Sequence, residues 1–364
     1  MKFYIIAGEA SGDLHGSNLI KALKHKFPTA NFRSWGGDLM QEQGATIVKH
    51  YRELAFMGFA EVLFNIRTIL NNLSFCKEDI AAYQPDCVIF IDYPGFNMRI
   101  AEFVHDQGIK SIYYIAPQVW AWKKSRVHKL KRTIDKMLVI LPFEKAFYAK
   151  YNVEACFVGH PLLDAVQQYR SQQKSSLQVD KPVIALLPGS RKQEINAMLP
   201  LMLRMPAEFP DYKFVLAAAP SIDDSFYASI INNASVEIVR NKTYDVLNIA
   251  HAAIVASGTA TLETALFRVP QVVCYKGNWV SIQIAKRLVD IKYISLVNLI
   301  ADKKIVTELI QEDFNFERLR SETEKIIAGN GRQQMIADYD QLITLLGNSG
   351  ASDKAATEIA NFMI

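Results

Sequence analysis

Short apolar runs alternate along the chain with longer stretches in which apolar residues recur at helical spacing. The first run, Lys2–Ala7, predicts an opening β-strand. Further runs, each bounded by Gly, Pro or Asp, predict strands at residues 32–35, 45–49, 87–92, 111–116, 136–141 and 155–159. Continuously apolar strands separated by helices favour a parallel sheet with helices on both faces.

A second series of the same kind begins at residues 182–187 and continues at 214–218, 236–239, 252–255 and 271–275 before ending in helices. The segment between the two series, residues 167–180, is polar and rich in Gln and Ser, as expected of the end of a helix followed by a linker. We therefore predict an α/β protein with the GT-B architecture, in which two Rossmann-like doubly wound domains face a central cleft. The predicted boundaries are 1–170, 171–345 and a C-terminal helix at 346–364 that packs on the first domain or on a partner chain.

The composition narrows the class of protein. The length of 364 residues suits two domains, and a net charge of +4, from 41 Lys and Arg against 37 Asp and Glu, is too small to indicate nucleic-acid binding. The chain has no window of ~18 uncharged apolar residues and no N-terminal signal pattern, so we expect a cytosolic protein without a membrane span. The cysteines are scattered and predict reduced thiols rather than disulfides or zinc ligands: Cys76, Cys87, Cys156 and Cys274.

Residues 252–267 predict a strand, a turn of small residues and a helix. Hydroxyls and uncrowded N–H groups at a helix start favour an anion such as phosphate. Glu263 follows one helical turn later, where it is placed to accept hydrogen bonds from a ribose. The alternative is an ordinary capped helix start. The residues of this predicted anion site are Ser257, Gly258, Thr259, Ala260 and Thr261.

Asp92 follows the apolar run at 87–91, where a buried strand would place its carboxylate at the cleft. A general base that deprotonates a sugar hydroxyl belongs in such a position, because a rigid strand orients it and partial burial raises its pKa. Asp92 could equally brace the turn at Pro94 and Gly95.

Arg191 lies in a second strand-to-helix turn, residues 187–195, next to Ser190. Its guanidinium can pair bidentately with a pyrophosphate and stabilise it as a leaving group without a metal. A solvated arginine is the weaker interpretation, because a cation at a helix N-terminus opposes the helix dipole unless an anion lies between them.

Glycines at positions 8, 12 and 16 follow the first strand in a spacing that matches neither the dinucleotide-binding fingerprint nor the P-loop. The turn nevertheless indicates a close approach of the backbone to another group. Ser11 and Asp13 either cap the following helix or bind a ligand.

Two stretches are candidates for contact with a lipid surface. Residues 56–75 have an apolar arc wider than one core contact needs, with Met57, Phe64 and Phe75 outside its main face, so the helix either is buried on two sides or lies partly against lipid. The basic run at 123–132 is a solvated helix face or binds anionic phosphates. The predicted membrane residues are Val62, Leu63, Ile66, Ile69, Leu70, Lys123, Lys124 and Arg126.

Six stretches in this order closely resemble the lipid-A-disaccharide synthase family over nearly the whole chain: GEASGD at 8–13, IDYPGFN at 91–97, YYIAPQVWAW at 113–122, VGHPLLD at 158–164, LLPGSRKQEI at 186–195 and SGTATLE at 257–263. The resemblance implies a GT-B glycosyltransferase with inverting chemistry and neither a metal nor a cofactor. The donor would be UDP-2,3-diacylglucosamine and the acceptor the 6-hydroxyl of 2,3-diacylglucosamine 1-phosphate. It also implies a peripheral protein on the cytoplasmic face of the inner membrane, in a family that can exchange C-terminal segments in dimers.

The same resemblance assigns roles to individual residues. Asp92 matches an essential cleft aspartate, Arg191 an essential arginine, and Ser190 with residues 257–263 the UDP-sugar site. The acceptor side would comprise Glu9, Ser11, Gly12, Asp13, Asn97, Gln118 and Trp120. Rival interpretations are a UDP-N-acetylglucosamine 2-epimerase, which shares the fold, and a receptor that binds the nucleotide without cleaving it.

Overall fold

The computed structural model describes residues 1–54, 66–121, 124–172, 179–231, 234–277 and 292–364. The chain separates into two compact units. Unit 1 comprises Met1–Asp164 together with Asn348–Ile364, and unit 2 comprises Ala165–Gly347. The C-terminal segment therefore belongs to the same unit as the N-terminus.

The strands form one parallel sheet in each unit. In unit 1 they are β1 Lys2–Ala7, β2 Asn31–Gly36, β3 Thr46–His50, β4 Cys87–Ile91, β5 Lys110–Tyr114, β6 Lys136–Val139 and β7 Ala155–Phe157. In unit 2 they are β8 Val183–Leu187, β9 Lys213–Ala218, β10 Glu237–Arg240, β11 Ala250–Ala256, β12 Gln271–Tyr275 and β13 Thr307–Ile310. The predicted pair of Rossmann-like sheets is confirmed.

The helices connect the strands. They are α1 Ala10–Lys26, α2 Asp38–Glu42, α3 Ile66–Tyr83, α4 Pro94–Asp106, α5 Arg126–Thr133, α6 Glu144–Ala149, α7 Pro161–Ser171, α8 Lys192–Met202, α9 Met205–Glu208, α10 Asp224–Ile231, α11 Thr243–Ile249, α12 Thr259–Leu266, α13 Leu296–Ala301, α14 Phe316–Ile327, α15 Gly329–Leu346 and α16 Ala351–Met363. Within the described ranges, no helix is long and apolar enough to cross a membrane.

The strand order reverses once in each sheet. The order is β3-β2-β1-β4-β5-β6-β7 in unit 1 and β10-β9-β8-β11-β12-β13 in unit 2. We call the place between β1 and β4, and between β8 and β11, the switch point of each sheet. Ligands of doubly wound sheets bind outside the carboxyl ends of the strands at this point, because the flanking helices lie on opposite faces and leave a crevice.

The central strands of unit 1 are buried on both faces, which explains why their sequences are continuously apolar. Along β1, Tyr4 and Ile6 join one core cluster while Phe3 and Ile5 join the other. Helix α16 contributes to the second cluster, where it packs with α1 through Ala355, Ala356 and Ile359.

Asp164 fixes the start of α16. Its carboxylate accepts hydrogen bonds from the backbone N–H groups of Gly350, Ala351 (3.2 Å) and Ser352 (3.0 Å). A carboxylate on the first N–H groups of a helix satisfies donors that have no partner within the helix, and it opposes the positive end of the dipole. The C-terminal segment is therefore anchored by a specific polar contact as well as by its apolar face.

The edge strand β13 is absent from the predicted series. Its sequence, Thr307–Ile310, contains two polar residues, and only Leu309 is fully buried. An edge strand pairs on one side alone and needs no continuous apolar run, so the hydrophobic pattern does not reveal it.

Candidate active site

At the switch point of unit 1, the loops that follow β1 and β4 lie against each other. Gly8 follows β1, and a Cβ atom added to it would lie 2.4 Å from the ring of Tyr93, which follows β4. A side chain at position 8 would displace this ring, which explains the glycine. The ring of Tyr93 also stacks on Phe96, with centroids 5.4 Å apart. The close backbone approach predicted for the glycine-containing turn is thus an approach to Tyr93, a residue that sequence reasoning had not singled out.

Asp92 and Tyr93 both adopt left-handed backbone conformations, with φ of 45° and 48°. Residues with side chains pay on the order of 1 to 3 kcal/mol for such conformations, which persist only where the surroundings enforce them. Here the backbone carbonyl of Asp92 accepts hydrogen bonds from Asn97 Nδ2 and from the Tyr113 hydroxyl, each at 2.7 Å. These two hydrogen bonds therefore hold the strained turn that carries the Asp92 carboxylate.

Two effects of different kinds raise the pKa of the Asp92 carboxyl group. Although the residue reaches solvent, partial burial raises the pKa of its carboxyl group, and the nearby negative charge of Glu9 raises it further, to about 6. A hydrogen bond from the Tyr93 backbone opposes this rise. A carboxylate with a pKa near 6 is ionised at neutral pH and is a stronger proton acceptor than an ordinary aspartate.

Two of the predicted acceptor-binding residues are buried and form hydrogen bonds with backbone groups near the site. Asn97 is buried, and its Nδ2 donates to the backbone carbonyls of Ile6 in β1 and of Ile91 and Asp92 at the end of β4. Asp13 is buried too, with Oδ1 accepting from the Gly37 N–H (2.8 Å) and the Met40 N–H (3.1 Å) and Oδ2 from the Leu39 N–H (3.1 Å). Asp13 therefore caps α2, not the helix in which it lies.

The remaining predicted acceptor residues divide by exposure. Glu9 is half-buried and Ser11 exposed at the start of α1, while Gly12 is buried. Gln118 is exposed, whereas Trp120 is buried and donates from Nε1 to Glu144 Oε1 at 3.1 Å.

Glu144, which accepts the hydrogen bond of Trp120, also binds the backbone after β6. Its Oε2 accepts from the backbone N–H groups of Ile140 (3.2 Å) and Leu141 (2.9 Å), and burial raises its pKa to about 7. Sequence reasoning missed Glu144. An acidic residue that closely follows the apolar run at 136–141, in the segment Leu141-Pro142-Phe143-Glu144, is the signal that would have identified it.

At the switch point of unit 2, the turn after β8 brings Arg191 to the start of α8. Gly189 has φ of +115°, and an added Cβ would lie 2.6 Å from Glu194 Oε2, so this position requires glycine. Glu194 Oε2 accepts from the Ser190 N–H at 3.1 Å, and its Oε1 lies 3.5 Å from Arg191 Nη1. The Arg191 side chain is 52% exposed, so its guanidinium is accessible to a ligand at the turn.

The second turn of this switch point follows β11 and leads into α12. Ser257 donates from Oγ to the carbonyl of Ile294 at 3.0 Å, and Thr261 donates from Oγ1 to the carbonyl of Gly258 at 2.7 Å. Gly258 and Thr259 are exposed, and a Cβ added to Gly258 would meet no described atom within 4 Å. Among the described residues, nothing therefore blocks an anion from the start of α12.

Glu263 lies one turn into α12 and accepts a hydrogen bond from the Tyr244 hydroxyl at 2.8 Å. Burial raises the pKa of Glu263, and this hydrogen bond partly offsets the rise. Sequence reasoning did not identify Tyr244. It lies in α11 and Glu263 lies in α12, and the strand β11 separates the two helices, so no local sequence pattern links the two residues.

The predicted membrane residues are described only in part. Val62, Leu63, the side chain of Ile66 and Lys123 lie outside the described residues. On α3, Ile69 packs against the core of unit 1, whereas Leu70 is 57% and Phe75 43% exposed. Lys124 is exposed and Arg126 half-buried.

The carboxylates of Asp338 and Asp340 in α15 each form an ion pair with a basic residue. Asp338 pairs with Lys303 at 2.8 Å and Asp340 with Arg268 at 2.6 Å. Across the ranges that the structure describes, no three His, Cys, Asp or Glu side chains are grouped so as to hold a metal ion.

Comparison with known proteins gives a family and a fold. The sequence model of a family described as "Lipid-A-disaccharide synthetase" matches residues 3–362. A lipid-A-disaccharide synthase of Syntrophus aciditrophicus is 39% identical, over 97% of this chain and 95% of the relative. Among solved structures, an S. aureus MnaA–UDP complex has a TM-score of 0.71 at 13% identity, covering 100% of this chain and 96% of the other. A UDP-GlcNAc 2-epimerase from Neisseria meningitidis bound to UDP-GlcNAc has a TM-score of 0.67 at 11% identity, covering 100% and 99%. At such identities these two structures show a shared fold alone.

Proposed function

The chain belongs to the lipid-A-disaccharide synthase family of glycosyltransferases, which act in lipid A biosynthesis. We propose which substrate and which catalytic group lie at each of its two switch points. Members of the family transfer 2,3-diacylglucosamine from UDP-2,3-diacylglucosamine to the 6-hydroxyl of 2,3-diacylglucosamine 1-phosphate, with release of UDP. We assign the acceptor and the general base to unit 1, and the UDP-sugar to unit 2.

Asp92 is the general base of the proposal. It takes the proton of the acceptor 6-hydroxyl while that oxygen forms a bond to the anomeric carbon and the bond from this carbon to the phosphate oxygen breaks. One displacement from the opposite face inverts the anomeric centre, and the electron pair leaves with UDP. The observation that carries this assignment is the Asp92 carboxylate at the β1–β4 switch point, on a backbone turn that Asn97 and Tyr113 hold in place. Its pKa of about 6 leaves it largely ionised yet basic at neutral pH.

Arg191 and the start of α12 bind the pyrophosphate in the proposal. Negative charge develops on the β-phosphate as the glycosidic bond breaks, and a guanidinium with nearby helix N–H groups stabilises that charge without a metal. Glu263 accepts hydrogen bonds from the ribose. The support comes from the exposed Arg191 side chain and from Gly258, where an added Cβ would meet no atom of the described residues within 4 Å.

The substrates carry acyl chains, so the enzyme must meet them at a lipid surface. We place it on the cytoplasmic face of the inner membrane, where exposed Leu70 and Phe75 of α3 supply an apolar contact and Lys124 a charge for anionic lipid. We also propose that a homodimer forms by exchange of α16. The connection before this helix contains Gly347 and Gly350, both with positive φ, which suits a hinge.

The test is incubation of the purified protein with both detergent-dispersed substrates in the presence of EDTA, with mass detection of disaccharide 1-phosphate and UDP. We expect both products, and a reproducible need for Mg²⁺ would remove the metal-free chemistry. Conversion of the donor without acceptor would indicate epimerase activity, and binding of UDP without bond cleavage would indicate a receptor.

Asp92→Asn tests whether Asp92 acts as a base or only stabilises the structure. The amide is nearly the same shape but cannot take the proton, so we expect loss of transfer with UDP affinity retained. Loss of UDP affinity instead would make Asp92 a structural residue or a donor ligand.

A further inference from the structure

Glu263 is held by an aromatic residue of a different helix. Tyr244 lies in α11, before β11, and Glu263 lies in α12, after it. The Tyr244 hydroxyl donates to Glu263 Oε1 at 2.8 Å, and both residues are half-buried. Burial raises the pKa of the Tyr244 phenol far above its ordinary value, so the hydroxyl keeps its proton and acts as the donor.

We propose that Tyr244 is a positioning residue: it orients the Glu263 carboxylate, with Oε1 bound to the phenol and Oε2 directed to the ribose hydroxyls, and so strengthens the preference for a ribonucleotide donor. The inference rests on the proposed function, in which Glu263 binds the ribose. It adds a residue that never touches the substrate.

The ring of Tyr244 is fixed by two neighbouring aromatic rings. Its centroid lies 5.6 Å from that of Tyr169 and 5.2 Å from that of Phe267, and the last two rings are 5.6 Å apart. Arg170 closes this cluster, with its guanidinium 5.7 Å from the Phe267 centroid and Nη2 bound to the carbonyl of Leu266 at 3.0 Å. A packed ring cannot follow a carboxylate that swings away, so the phenol selects one rotamer of Glu263 before the nucleotide binds. A side chain ordered in advance loses less conformational entropy on binding.

The same cluster supplies a matched control. Tyr169 carries an equivalent phenol on a neighbouring ring, but it donates to Asp245 Oδ1 at 2.7 Å and not to Glu263. Tyr169→Phe and Tyr244→Phe therefore make the same chemical change in the same aromatic cluster. They differ in whether Glu263 loses its hydrogen bond.

The experiment measures the affinity of the full-length protein for UDP and for 2′,3′-dideoxy-UDP by titration calorimetry. The ratio of the two dissociation constants isolates the ribose hydroxyls, because any loss of overall folding or of phosphate binding affects both ligands. Hydrogen bonds to a carboxylate predict a ratio of about 10 to 100 for the wild-type protein, and Glu263→Ala, which leaves no hydrogen-bonding group on the side chain, should reduce it to near 1. Tyr244→Phe should reduce it about fivefold, and Tyr169→Phe should leave it unchanged. In the Tyr244→Phe, Glu263→Ala double variant the ratio should equal that of Glu263→Ala alone.

Each alternative outcome has one meaning. If Glu263→Ala keeps the wild-type ratio, the ribose role of Glu263 in the proposed function is wrong. If Glu263→Ala abolishes the preference but Tyr244→Phe does not reduce it, the positioning role is overturned and the proposed function stands. Equal reductions in Tyr244→Phe and Tyr169→Phe would overturn it as well, because they would reveal a general effect of the aromatic cluster. Thermal unfolding of each variant verifies that the ratios refer to folded protein.

Discussion

The pH dependence of the rate tests whether Asp92 is the base. Its pKa rises from 3.8 to about 6 for two separable reasons, of which burial is the larger and the charge of Glu9 the smaller. A base acts only when deprotonated, so the rate should rise as the pH increases through the pKa of Asp92 and reach a plateau above it. Glu9→Gln removes the second reason and leaves the first, so it should move the acid limb of the profile to lower pH.

The pKa of Asp92 is raised from 3.8 to about 6 in total, and the charge of Glu9 is the smaller of the two causes that raise it. We therefore expect Glu9→Gln to move the acid limb to lower pH by on the order of one unit, which corresponds to about 1.4 kcal/mol of interaction between the two carboxylates. The height of the plateau is not the readout, because Glu9 is also proposed to contact the acceptor.

The assay follows initial rates of disaccharide formation by mass spectrometry from about pH 4.5 to 8.5, a range that brackets the pKa of Asp92. Glu9→Asp is the control, since it keeps the charge and should keep the limb near that of the wild type. The acceptor phosphate also titrates near pH 6, but it contributes equally to every variant, so only differences between variants count. A limb that stays in place in Glu9→Gln, or that moves to higher pH, would refute the reasoning.

Three further predictions concern other parts of the structure. Arg191→Ala should lower kcat by about 10²- to 10³-fold without loss of folding, because the leaving pyrophosphate loses its cation, and near-wild-type turnover would remove this role. Asp13→Ala should lower the free energy of unfolding by about 2 to 4 kcal/mol in urea titration, because three backbone N–H groups lose their acceptor; a loss below about 1 kcal/mol would contradict the capping role. Leu70→Ser and Phe75→Ser should each weaken sedimentation with anionic vesicles roughly tenfold while the protein stays folded, whereas Ile69→Ser should lower stability instead; unchanged vesicle binding in the first two would move the contact elsewhere.

The site residues that could be predicted from the sequence are those whose place follows from the order of neighbouring strands and helices along the chain. Asp92 follows a continuously apolar strand, and Arg191 follows a strand and precedes a helix, so their places at the carboxyl edge of a parallel sheet could be inferred without coordinates. The switch points themselves depend on strand order, which the hydrophobic pattern does not contain. Only the pairing of β1 with β4 and of β8 with β11 shows that these loops adjoin the glycine-containing turns.

The parts that could not be predicted depend on contacts between distant residues. Asp13 has the spacing of a cap for its own helix, but its carboxylate binds a helix start more than twenty residues later. Tyr244 and Glu263 are separated by an entire strand. On α3, a helical wheel groups Ile69 with Leu70, yet it carries no reference direction, and the core lies on the side of Ile69.

The return of the chain to unit 1 has a consequence for biosynthesis. Helix α16 is translated after the whole of unit 2. Its residues Ala355, Ala356 and Ile359 complete a core cluster of unit 1 that also contains Ile89 and Ile112. At elongation rates of about 5 to 20 residues per second, the interval between Asp164 and α16 is on the order of 10 to 40 s. During that time the nascent first unit presents an uncovered apolar face, which is the kind of surface that holding chaperones bind. The core of unit 1 is therefore completed only after α16 has been synthesised.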